Sequence, residues 1–279
     1  MKYWLSVSVL LLALGTLPAL AAEATFERTL SVSGTVTLHV NTGSGNIVIS
    51  PGSDNEVHII GHVKSGWSGG GNAQRVREIA DHPPIEQVGS ILRIGGHMEN
   101  LHNISIDYEI KAPAKTILEA SSGSGNVEDQ GVGVNARLNT GSGNIHAKGL
   151  NQGFSVETGS GDIYAEQTGT GDVKAHTGSG NIELRNILGG LKAETGSGDI
   201  KLGGQPKASW RVSTGSGNVE FWPEHAALTL EASTGSGDIR VEGNDMNTTH
   251  SDHHNLTAKL HGGGPTVRVE TGSGDIRVH

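Results

Sequence analysis

Apolar residues recur along this chain at fixed distances from a threonine. Leu191, Ala193, Thr195, Ile200 and Leu202 mark one unit, and Val267, Val269, Thr271, Ile276 and Val278 mark another. Apolar side chains stand two and four positions before the Thr and five and seven after it. Such alternation is the period of a half-buried strand, so each unit predicts two short strands. They are joined by the tract T/S-G-S/T-G-N/D-I/V, which occurs ten times. The parity changes from even to odd across the tract, so the tract must displace the chain by one residue, as a bulge or corner does. Glycine suits that position through its tolerance of positive φ, and Asn or Asp through hydrogen bonds to the turn.

The copies at Thr140, Thr158, Thr177, Thr195, Thr214 and Thr234 are spaced 18, 19, 18, 19 and 20 residues apart. A unit this short cannot bury a core alone, so a regular period implies stacked coils. A half-copy at Thr168, midway between Thr158 and Thr177, divides a coil into two near-equivalent sides. The expected fold is all-β, a parallel β-solenoid (β-helix) with coils of about 18–20 residues.

Two stretches lack the motif, giving excursions at about 65–90 and 243–255 from one domain spanning 23–279. Glu56 to Lys64, Ile91 to Ile94 and Ile104 to Ile110 read as strands, forming extra rungs. Asn72 to Asp81 reads as a short helix with Val76, Ile79 and Ala80 on one face, ended by Pro83-Pro84. Insertions project from the side of a solenoid, so both excursions are expected to carry binding, and shortening the second is expected to spare the fold.

Residues 1–22 have the pattern of a secretory signal peptide: Lys2, an apolar run from Leu5 to Leu17, and Ala19-Leu20-Ala21. The run is short for a membrane span, and no second long apolar segment follows. A periplasmic or secreted protein is expected. The chain carries 20 Lys and Arg against 29 Asp and Glu, a net charge of −9. That balance repels phosphate backbones, so nucleic acid is an unfavourable partner. There is no cysteine, which excludes disulfide staples and an N-terminal lipid-anchored Cys.

The stretch Ile104-Ser-Ile-Asp-Tyr-Glu-Ile-Lys-Ala-Pro113, the repeated Thr-Gly-Ser-Gly-Asp-Ile, and Leu260-His-Gly-Gly-Gly-Pro265 before the last copy resemble bacterial β-solenoid domains of unknown function labelled putative adhesins. The resemblance covers nearly the whole mature chain. It implies a parallel β-helix outside the cytoplasm and carries no active-site residues with it.

Candidate chemistry is sparse. Gly66-Trp67-Ser68-Gly69-Gly70 has the spacing of a nucleophile elbow but not the α/β sheet that elbow needs. Stacked Thr side chains could form an ice-binding array only if they faced water, and their parity turns them inward. His250, His253 and His254, with Asp252 among them, have the donor types for zinc, copper or nickel, and folding is not expected to depend on such an ion. Phe154, Trp210 and Phe221 have core parity, which leaves Trp67 and Trp222 as loop-like candidates for partner contact. Asn144, Asp162, Asn181, Asp199, Asn218 and Asp238 follow the second glycine in consecutive copies and alternate, predicting a mixed side-chain ladder at a corner. The expected function is an exported, non-enzymatic adhesin or cell-envelope scaffold without a cofactor, meeting a protein or glycan of the envelope or surface. A calcium-binding solenoid and a carbohydrate-active β-helix enzyme are the alternatives.

Overall fold

The computed structural model describes residues 22–66, 72–95, 103–242 and 246–279. Strands β1 (Glu23–Ser31), β2 (Thr37–Thr42), β3 (Ile47–Pro51) and β4 (Glu56–Ser65) precede helix α1 (Asn72–Asp81) and strands β5 (Ile85–Val88), β6 (Ile91–Ile94) and β7 (Ile104–Ala112). The repeats then give β8 (Ile117–Ser122), β9 (Val127–Asp129), β10 (Asn135–Thr140), β11 (Ile145–Leu150), β12 (Phe154–Thr158), β13 (Ile163–Gln167), β14 (Val173–Thr177) and β15 (Ile182–Ile187). They continue as β16 (Leu191–Ser197), β17 (Ile200–Gly204), β18 (Trp210–Ser216), β19 (Val219–Trp222), β20 (Leu228–Thr234) and β21 (Ile239–Val241). A hairpin of β22 (Met246–Ser251) and β23 (Asn255–Leu260) follows, and β24 (Thr266–Ser273) and β25 (Ile276–Val278) end the chain.

Each repeat coil lays one strand in a back sheet, turns through the Gly-rich tract, and lays the next in a front sheet. The back sheet runs β22-β23-β20-β24-β18-β16-β14-β12-β10-β8-β2-β6-β5, and the front sheet β1-β4-β7-β3-β9-β11-β13-β15-β17-β19-β25-β21. Pairing between repeat coils is parallel and in register, with Thr140 beside Thr158, Thr158 beside Thr177, and Thr177 beside Thr195. This is a parallel β-solenoid. The alternating apolar residues of both sheets meet in one continuous core that includes Phe154, Trp210 and Phe221. Trp210 and Phe221 pack with ring centroids 5.3 Å apart, and Nε1 of Trp210 donates to the carbonyl of Gly189 at 2.8 Å, so the indole is buried without an orphan donor.

The motif Thr faces inward. Oγ1 of Thr140 donates to the carbonyl of Gly125 in the preceding coil (2.8 Å) and accepts from the N–H of Gly143 in its own corner (3.2 Å). The same two bonds occur at Ser122, Thr158 and Thr177. The glycines serve a purpose other than the expected one. Among the motif glycines only Gly237 (155°) and Gly274 (153°) have φ in the positive range. Elsewhere it is close approach that requires glycine: a Cβ on Gly143 would overlap the carbonyl oxygen of Gly125, and one on Gly161 that of Gly143.

The order of the coils departs from the order of the chain at both ends. β24 and β25, the last copy, insert between the coils of Thr214 and Thr234, pairing with β18 and β20 at the back and with β19 and β21 at the front. At the other end β6 and β7 lie outside the coil of β2 and β3. β1 and β4 extend the front sheet antiparallel, with α1 packed on them through Val76, Ile79 and Ala80. The second excursion supplies β22, an exposed strand that pairs antiparallel with β23. β23, which follows it, pairs antiparallel with β20 and buries Leu256, Ala258 and Leu260, so the hairpin caps the last back strand.

Candidate functional site

The structure places Asn144, Asp162, Asn181, Asp199 and Asn218 in one exposed column at the motif corner. Each side chain accepts, through Oδ1, the backbone N–H of the equivalent residue one coil on. Asn144 receives the N–H of Asp162 (2.9 Å), Asp162 that of Asn181 (2.7 Å), Asn181 that of Asp199 (2.9 Å) and Asp199 that of Asn218 (2.7 Å). Because the last copy is inserted, Asn218 is followed by Asp275 (2.9 Å), which in turn receives Asp238 (3.0 Å), so two aspartates adjoin at that end. Asn46 and Asn126 continue the column in the other direction, reaching Asp107. Asn46, Asn126 and Asp275 hold the same motif position and were legible from it, whereas Asp107 lies outside any copy. The exchange expected between neighbouring side chains occurs once, from Nδ2 of Asn218 to Oδ1 of Asp199 (3.3 Å). Asn181→Asp would place three carboxylates on successive rungs about 4.8 Å apart. The expected cost is about 1–2 kcal/mol at low salt and neutral pH, diminishing with added salt and on acidification, as measured by urea unfolding.

Among the described residues no three His, Cys, Asp or Glu side chains converge so as to hold a metal ion. His250, His253, His254 and Asp252 lie along the β22–β23 hairpin, where the turn itself engages the carboxylate. Oδ1 of Asp252 accepts the N–H groups of His254 (2.8 Å) and Asn255 (2.7 Å), while Oδ2 lies 3.3 Å from His250 Nε2. These bonds, led by the His254 N–H, hold the Asp252 carboxyl down at about 2. Short sequence spacing put donor types together, but the hairpin directs the carboxylate into its own backbone. Trp67, with most of the elbow-like tract, lies outside the described residues.

Trp222 ends β19 on the outer face of the front sheet and remains 38% exposed. One face of its indole stacks on His279, with centroids 4.8 Å apart and planes 7° from parallel. His279 in turn lies 3.4 Å from Glu242. On that side a groove of about 450 Å³ is lined by Trp222, Pro223, Val241, Met246 and Leu260 with His225 and His261. On the other side a second groove of about 450 Å³ runs over Gly203, bordered by Arg185, Glu183, Lys201 and Glu224. Arg185 is fixed by Glu183, whose Oε1 accepts from Nε at 2.7 Å, and by its position 5.4 Å from the centre of the Tyr164 ring. Sequence reading singled out Trp222 alone. Arg185, Gly203, Trp222 and His279 all stand eight positions after the Thr of their copies, an outward position that the apolar pattern does not mark.

Three solved structures are similar to this chain in outline: a putative cell adhesion protein from Clostridium sporogenes (14% identity, 91% of this chain and 99% of that one, TM-score 0.26), a putative adhesin from Bacteroides fragilis (15%, 95% and 100%, 0.34) and one from Parabacteroides distasonis (15%, 92% and 97%, 0.33). No curated protein matches. The family model described as Toastrack DUF4097 matches residues 35–279, nearly the whole solenoid, and the chain belongs to that family.

Proposed function

We propose that the protein is an exported, non-enzymatic scaffold of the bacterial cell envelope, with the front-sheet face around Trp222 as its contact surface. The observation that carries this reading is the division of labour in each coil. The motif hydroxyls, glycines and Asn or Asp side chains are used in joining coil to coil, which leaves the outward columns of the sheets as the variable surface. On that surface a large, half-open indole between two grooves is the kind of anchor on which binding energy concentrates. Export is supported by the leader-like pattern of residues 1–22. No helix among the described residues is long and apolar enough to cross a membrane. Adhesion to an outside surface is one form of this role.

Cosedimentation of the purified protein with isolated envelopes tests the reading. The wild type should be retained, and Trp222→Ala should weaken retention at least about tenfold without lowering the melting temperature. A wild-type chain that stays in the supernatant would rule the scaffold role out.

A further inference from the structure

Gly203 has no structural reason to be glycine. It lies within a strand, where glycine weakens pairing and packing. It is absent from the positive-φ glycines, and the nearest atom a Cβ there would meet is the carbonyl oxygen of Leu184, 4.0 Å away. Its effect is on the surface. Gly203 is in register with Trp222, and the missing side chain leaves the second face of the indole open. Arg185 borders the far side of the gap, at a bulge where Leu184 pairs with Leu202 and the register then shifts. The coils of Arg185 and Trp222 are two rungs apart, about 10 Å. That separation seats one ring about 5 Å from each wall, the distance at which rings stack on aromatic faces.

The geometry points to a slot for a single pyranose ring of a neutral saccharide, lying flat on Trp222 over Gly203. The charged groups around it balance, Arg185 and Lys201 against Glu183 and Glu224, so the rim offers hydrogen-bond donors and acceptors without a net field. Ring hydroxyls need both, whereas an anionic ligand would be drawn to a surplus of cations. An apolar sugar face on an indole with polar groups at the rim is also the usual division of a small-ligand site. This inference rests on the scaffold reading and supplies its ligand class.

The test is calorimetric titration of the purified protein with neutral disaccharides of glucose, galactose, mannose and N-acetylglucosamine at millimolar concentration, and with neutral polysaccharide purified from envelopes. At least one disaccharide should bind. Gly203→Val, which a strand accepts readily, should weaken that binding at least about tenfold while leaving the melting temperature unchanged or higher. Trp222→Ala should do the same, with Trp222→Phe intermediate. Polysaccharide binding without disaccharide binding would mean that the site reads a longer chain, and the slot would stand only if Gly203→Val abolished it. No saccharide binding by the wild type, or equal binding by Gly203→Val, overturns the slot. Envelope cosedimentation that survives in Gly203→Val would then leave the scaffold reading intact, whereas saccharide binding without cosedimentation would retain the slot and remove the scaffold.

Discussion

Replacing Asp129 by Asn should remove a loss of stability of about 4 kcal/mol that this one carboxyl imposes as the pH rises from about 4 to about 8. Asp129 occupies an inward position of β9, between Ile49 and Ala147 in a column that is otherwise apolar. Oδ1 accepts the N–H groups of Gly131 (3.2 Å) and Val132 (2.9 Å), while Oδ2 is buried without a partner. Burial pushes the carboxyl up to about 7, against the opposing pull of those two bonds. The folded value lies above the unfolded one, so the stabilising contribution is complete below the unfolded value near 4. It declines as the unfolded chain ionises and is gone once the pH passes the folded value. Asn keeps the accepting oxygen and carries no charge. Urea unfolding of both proteins across this range should give curves that lie within about 1 kcal/mol at the acid end and diverge in favour of Asp129→Asn at the alkaline end. Parallel curves would show that the carboxyl ionises as easily folded as unfolded.

The second large effect is expected at Thr177, which is fully buried. Its Oγ1 donates to the carbonyl of Gly161 (2.9 Å) and accepts the N–H of Gly180 (3.2 Å), one bond across coils and one within the corner. Thr177→Val keeps the shape and deletes both, leaving a buried carbonyl and a buried N–H unpaired. The cost should be about 2–4 kcal/mol, or roughly 10 °C in Tm. Thr177→Ser should cost about 1 kcal/mol or less, because Ser122 makes the same two bonds at 2.8 Å each in its own coil. A solenoid is held together rung by rung, so a weak rung in the middle should also broaden the unfolding transition. If Val and Ser variants unfold alike, the hydroxyl bridge contributes nothing and the methyl packing is what selects Thr.

The candidate surface was only half legible. Trp222 could be picked out as an aromatic off core parity, but its stacking on His279 joins residues distant in sequence through the insertion of the last copy. Gly203 stands eight positions after its Thr, outside the motif that holds Gly143 and Gly161, but only the empty space around its missing Cβ shows that it is not required by close approach.

The sequence by itself determined the strands, their inward faces and the corners. Alternation around Thr195 and Thr271 leaves one way to bury Leu191, Ala193, Ile200 and Leu202, or Val267, Val269, Ile276 and Val278, and helix periodicity marked Asn72–Asp81. What only the tertiary structure decided is which coil lies on which. All coils present nearly the same apolar columns, so parallel pairing in register is almost degenerate between them, and nothing local forbids Thr271 from stacking on Thr214 instead of Thr234. The ends break the degeneracy. A final back strand needs an antiparallel hairpin to cover its edge, and β22 and β23 provide that cover for β20, which displaces the last copy one rung inward.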